Sequence, residues 1–163
     1  MKNPAPFDFS IDGVSSITLD PHKMGISTIP SGTFLIREPE NLKLLSVDSP
    51  YLTMKTSFTL TGTRPGADVA GAYAVLKYLG REGFCDIVSG CLENTRRLVC
   101  GMEAFGYKKV LTPVMNLAAF YAADIPDGWK VSRTRAGHMR FVMMPHVTRD
   151  VVETFLDEVS MLH

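Results

Sequence analysis

Across residues 67–105 apolar side chains return every three or four positions, and the pattern is broken once, at the tetrapeptide GREG of residues 80–83. A strand alternates with period two, so this spacing commits the middle of the chain to two helices in tandem. The first carries Val69, Ala72, Tyr73, Leu76 and Leu79 on one stripe, with Gly80 where a C-cap belongs. The second carries Ile87, Cys91, Thr95, Leu98, Met102 and Phe105 and closes at Gly106. The glycines between them predict a break and a domain boundary, with residues 1–82 on one side and 83–163 on the other.

Short β-type runs flank the helices. Residues 1–12 read as an extended lead-in to a strand at 14–19, and Pro30, Ser31 and Gly32 turn the chain into a second strand at 33–37. Residues 39–45 fit a helical turn with proline at its first position, and 48–61 a polar, threonine-rich loop with extended segments. Beyond Gly106 the pattern predicts strands at 110–112, 115–121, 129–133 and 139–144, with a turn at 125–128. A last helix follows, capped by Thr148, with Asp150 in its first turn and Val151, Phe155, Val159 and Leu162 as its buried face. The class is α/β, closing in a small α+β layer.

At 163 residues the chain can bury roughly two-thirds of its unfolded surface, enough for a core. Its 17 basic and 17 acidic residues cancel, and no basic run interleaves with aromatics, which argues against nucleic acid as a partner. No apolar stretch approaches the ~20 residues that span a bilayer, and the N-terminus lacks the apolar core of a signal peptide. Cys85, Cys91 and Cys100 match neither a disulfide framework nor a metal site and share one predicted helix. A cytoplasmic protein with reduced thiols, no metal and no membrane partner is expected.

Residues 16–25, SITLDPHKMG, end a strand on a lysine. An amine at the mouth of a sheet, beside His22 and small residues, suits bond formation with an aldehyde, because burial and nearby positive charge lower a lysine pKa from about 10.4. Taken alone, Lys23 is read more simply as a solvated lysine after a strand.

The motifs SITLDPHKMG, STIPSGTFLIRE and TLTGTRPGADVAGAYAVLKYLGREGF follow in the order and spacing of another set of proteins. From about Phe7 onward the chain resembles the C-terminal portion of the group II pyridoxal-phosphate-dependent amino-acid decarboxylases, nearest the archaeal L-tyrosine/L-aspartate decarboxylases. The resemblance implies the C-terminal part of an aspartate-aminotransferase-like large domain followed by a small α+β domain. It implies pyridoxal 5'-phosphate as cofactor, an amino acid as substrate, and a carboxy-lyase that turns tyrosine into tyramine or aspartate into β-alanine. Those amines feed methanofuran and coenzyme A synthesis. In such enzymes the cofactor lysine comes after most of the large domain, so a partial enzyme is expected, working as a homodimer or paired with a missing N-terminal half.

By the same resemblance Lys23 forms the Schiff base with the cofactor. His22 lies near the cofactor phosphate, although a histidine capping the strand end explains it equally well. Thr61, Gly62 and Thr63 reach the phosphate of the neighbouring subunit's cofactor, hydroxyls and amides before a helix N-terminus being a good anion cradle. Without the resemblance they read as a capping turn with no ligand. Arg140, in HMRFVMMP, faces the substrate's α-carboxylate, which its guanidinium fork matches. Arg133 and Arg135 read as solvated charges, and His146 as structural. Asp20 is not the partner of the pyridine nitrogen. That aspartate belongs, in the resembling enzymes, to a DAxxGG-like segment that does not occur in these 163 residues. Without it the cofactor's electron sink weakens, so the chain alone is expected to be nearly inactive. The connection AADIPDG replaces a helix usual in the resembling enzymes. The rival expectation is a non-catalytic module that pairs with another chain.

Overall fold

The computed structural model describes residues 5–48, 50, 51, 53, 56–59 and 62–162. It divides into two compact units, Met1–Tyr78 and Leu79–His163.

In the first unit β1 (Ser16–Leu19) pairs antiparallel with β2 (Thr33–Ile36), from Ser16 opposite Ile36 to Leu19 opposite Thr33. Arg37 extends the pairing. Its amide donates to the Ser15 carbonyl, and its guanidinium donates to the carbonyls of Phe9, Ile11 and Val14 while lying 5.5 Å from the Phe9 ring. The lead-in is thus fastened to the end of β2. A 3-10 helix (Pro39–Leu45) starts on its proline, and β3 (Val47–Asp48) pairs antiparallel with β4 (Thr56–Ser57), the extended segments expected of that loop.

The long helix α1 (Gly66–Ala104) begins in this unit and ends in the other. It is interrupted at Gly80 alone, with φ 56° and ψ −165°, a conformation open in practice to glycine, and Arg81, Glu82 and Gly83 are helical. The break occupies one residue instead of the tetrapeptide.

The second unit has the hydrophobic core. Leu98 and Met102 of α1 are fully buried, as are Phe120 of β5 (Leu117–Phe120), Met139 of the strand Met139–Val142 and Val159 of the last helix. With β6 (Ser132–Arg133) and Met139–Val142 numbered β7, the sheet order is β5-β7-β6, antiparallel throughout. The Phe141 ring lies 5.9 Å from that of Phe120 and 5.5 Å from that of Phe155 on α2 (Arg149–Ser160), joining sheet to helix through aromatic contacts. At Gly101 a Cβ would lie 2.6 Å from both Leu156 methyls, so glycine sets how closely α1 and α2 approach.

The C-terminal end of α1 is closed as its sequence predicts. Gly106 has φ 85°, its amide donates to the Glu103 carbonyl, and the Tyr107 amide donates to that of Met102, a Schellman arrangement with Tyr107 and Met102 both buried.

Three further expectations need correction. Residues 110–112 form no strand: Lys109 makes an isolated bridge to Phe120, and Leu111 is exposed just before Pro113, which has no N–H to continue a ladder. The strand at 129–133 shrinks to Ser132–Arg133, because Trp129 turns its ring onto Phe155 and its Nε1 donates to Glu158 at 2.7 Å. The buried face of α2 is Val152, Phe155 and Val159, whereas Val151 and Leu162 are exposed. Val152 completes an i, i+3, i+7 stripe with Phe155 and Val159. Thr148 caps α2 as expected, its Oγ1 accepting from the Val151 amide.

Candidate active site

Lys23 stands in the loop that leaves β1, and backbone hydrogen bonds hold that loop tightly. The Lys23 amide donates to the Asp20 carbonyl, the Ile26 amide to the Lys23 carbonyl, and the Ser27 amide to the Pro21 carbonyl, each at 3.0 Å. Gly25 makes the folding-back possible, since a Cβ there would lie 2.6 Å from the Pro21 carbonyl oxygen and 2.8 Å from its Cα. Ile26 completes the turn with φ 55°, in the left-handed region. A glycine two positions after the lysine is a sequence signal for such a turn. Nothing in the sequence marks Ile26.

The Lys23 side chain is 66% exposed, and its Nζ donates to Asp20 Oδ2 at 2.6 Å. That hydrogen bond holds the Asp20 carboxyl below its ordinary 3.8, with the charges of Lys23 and His22 acting the same way and desolvation opposing. An exposed pair of this kind adds little stability. Its importance is chemical, because an ammonium has no lone pair with which to attack a carbonyl. Asp20, set aside above as a ring-nitrogen partner, is the lysine's own counter-ion.

His22 is half-buried, with Nδ1 2.5 Å from the Ser31 carbonyl oxygen. A carbonyl only accepts, so Nδ1 carries hydrogen and Nε2 is left for another group. The hydroxyl oxygens of Ser27 and Ser31 are buried without a partner among the described residues. A solvent-reached primary amine, with unpartnered hydroxyls on the segment that follows it, suits an aldehyde bearing polar substituents.

Thr28 ties that segment to the start of α1. Its Oγ1 donates to Asp68 Oδ1 at 2.9 Å, and a Cβ on Gly71 would be 3.2 Å from the same oxygen. Gly62 and Thr63 lie on the approach to α1 and are exposed, with no hydrogen bond to the Lys23 loop among the described residues. Thr61 lies outside the described residues. Arg140 belongs to the second unit. It is exposed on β7 and its Nη2 donates to Ser132 Oγ at 3.2 Å. Arg133 is exposed and donates to the carbonyls of Gly137 and Ala123. The structure therefore joins Lys23, His22 and Asp20 in one loop and ties the exit of that loop to α1, with Arg140 in a different unit.

Among the described residues no group of histidine, cysteine and carboxylate side chains is placed to hold a metal, and no helix is long and apolar enough to cross a membrane. The three cysteines are free, Cys91 buried and the others exposed.

Residues 2–120 match the family model described as the pyridoxal-dependent decarboxylase conserved domain. The whole chain is 66% identical to a probable L-tyrosine/L-aspartate decarboxylase of Methanocorpusculum labreanum, of which it covers 45%. It is 50% identical to a probable L-aspartate decarboxylase of Archaeoglobus fulgidus, with 97% of this chain and 46% of that protein aligned. The chain thus spans less than half the length of these relatives. Among solved structures, a sphingosine-1-phosphate lyase of Burkholderia pseudomallei matches with a TM-score of 0.83 at 23% identity, over 95% of this chain and 38% of that one. A Lactobacillus brevis glutamate decarboxylase matches at 0.78 and 18%, over 94% and 41%. These likenesses show the aspartate-aminotransferase-like fold.

Proposed function

Because the chain belongs to the family of pyridoxal-dependent decarboxylases, we propose that it supplies the lysine-bearing and small-domain portion of a carboxy-lyase acting on tyrosine, aspartate or both. The observation that carries this reading is the Lys23 amine, solvent-accessible at the end of β1 in a loop held by its own backbone. Pyridoxal phosphate is the family's cofactor, and when bound it supplies the electron sink that lets the substrate carboxylate depart.

The chain's own residues do the rest in this reading. Lys23 Nζ would hold the cofactor's aldehyde carbon once its proton has passed to solvent, because the Asp20 carboxyl, held below 3.8, is too weak a base to keep that proton and its pairing favours the ammonium. His22 Nε2, freed by the Nδ1 contact to Ser31, serves the phosphate, as do Thr61, Gly62 and Thr63 for a neighbouring subunit. Arg140 orients the substrate carboxylate without clamping it so tightly that the ground state is favoured over the transition state. A cytoplasmic homodimer feeding tyramine to methanofuran synthesis or β-alanine to coenzyme A synthesis completes the proposal.

The test is reduction with borohydride after incubation with pyridoxal phosphate, followed by peptide mass analysis. A pyridoxyl group concentrated on Lys23, and lost in Lys23→Ala, is expected. Label spread evenly over the other lysines refutes the assignment. Amine production is expected to be negligible from the chain alone and to appear when it is co-expressed with the remaining portion of the Methanocorpusculum relative.

One observation favours pairing with another polypeptide as a second reading. In the first unit Ser31 is the one buried residue among those described, while Leu19, Phe34, Val69, Tyr73 and Leu76 are each at least half exposed. That much uncovered apolar surface marks an interaction face. Tight binding to the remaining portion of a relative, with no label on Lys23, would make the chain a non-catalytic module.

A further inference from the structure

Ile26 is the one non-glycine residue with positive φ among those described, and it lies three positions after Lys23. A left-handed backbone presses Cβ toward the following carbonyl, and a β-branched residue tolerates this least. Burial does not compensate: Ile26 remains 39% exposed. The conformation is imposed by what surrounds it. Two turns share Lys23, one closed by its amide on the Asp20 carbonyl and the other by the Ile26 amide on its own carbonyl, while Ser27 to Pro21 closes the loop around both. Gly25, pressed against the Pro21 backbone, leaves no room for the second turn to relax inward. Strain of this kind persists where several contacts over-determine the backbone, and such places cluster at functional sites.

Resting on the proposed role of Lys23, we propose that Ile26 is a positioning residue: its strained left-handed backbone stiffens the Pro21–Ser27 loop and fixes the direction in which Lys23 presents its amine. Glycine at this position would close the same turn without strain, but its left-handed region is broad, whereas that of a β-branched residue is narrow, so the turn closed on isoleucine has less room to move.

The experiment follows the rate at which pyridoxal phosphate becomes fixed to Lys23 in the full chain. The amine adds to the aldehyde carbon and water leaves. Borohydride then delivers hydride to that carbon, and the nitrogen takes a proton from solvent. Ile26→Gly is expected to slow this labelling about tenfold, misplacement of a reacting group by a fraction of an ångström being costly. Its melting temperature should not fall, and exchange of the Ser27 amide with solvent should quicken. Ile26→Val, which keeps the β-branch, should label like the wild type. Labelling of Ile26→Gly at the wild-type rate, or of Ile26→Val as slowly as Ile26→Gly, overturns the inference. If the wild type shows no preference for Lys23, the functional reading fails, and the Ser27 amide still judges the stiffening: equal exchange in wild type and Ile26→Gly overturns it.

Discussion

Phe120→Ala tests where the stability of this chain resides. Phe120 is fully buried, edge-on to Phe141, which continues the contact to Phe155 of α2. Removing its ring from water contributes about 1.5–3 kcal/mol, and the void left between sheet and helices raises the expected loss to about 3–5 kcal/mol. That is a large part of the ~5–15 kcal/mol that holds a typical domain together. The reporter is built in, since Trp129 is the single tryptophan, lies 5.1 Å from the Phe155 ring and bonds Glu158. Urea unfolding followed by its fluorescence should show a midpoint shift equal to the loss divided by the slope, with the slope unchanged. Phe34→Ala serves as the comparison. Phe34 is 50% exposed in the first unit, and its truncation should leave the unfolding free energy read from Trp129 within about 0.5 kcal/mol of the wild type. A loss below about 1 kcal/mol for Phe120→Ala, or equal losses for the two variants, would refute the placement of the core.

Acid should weaken the second unit through Glu153. Its carboxyl is held below the ordinary 4.5 first by the hydrogen bond from Arg149, then by the charges of Arg149 and Arg97, against desolvation. Its contribution is therefore present above pH 4.5 and lost as pH falls through the lower folded value, so Glu153→Gln should flatten the fall in Trp129 urea midpoint between pH 6 and pH 3. Gly101→Val should destabilise by about 1–3 kcal/mol, because its Cβ meets the Leu156 methyls, and the penalty should shrink in a Leu156→Ala background. An additive double mutant would count against that contact. Gly25→Ala should quicken exchange of the Ser27 amide, because a Cβ 2.6 Å from a backbone oxygen forces the loop open; unchanged exchange would contradict the close approach at Pro21.

Periodicity alone marked out the helices, since apolar side chains that recur every three or four residues share one face only on a helix. The same local logic placed Gly106 at the helix end and Thr148 as a cap, where one residue's conformational freedom or one side-chain oxygen decides the outcome. It also singled out Lys23, through an ordered set of motifs rather than through any property of the lysine. Short strands were less legible. Residues 110–112 and 129–133 look extended, yet whether such a run joins a sheet depends on a neighbour distant in sequence, and Trp129 finds Phe155 and Glu158 instead. The stripe on α2 slipped by one residue for a similar reason, because Val151 and Val152 are equally apolar and the facing surface chooses between them. At the candidate site, sequence could name an amine but not its counter-ion, nor the backbone that aims it. Asp20 meets Lys23 and Ile26 turns left-handed only because the loop closes on itself at Gly25 and Pro21, and such closure exists only in three dimensions.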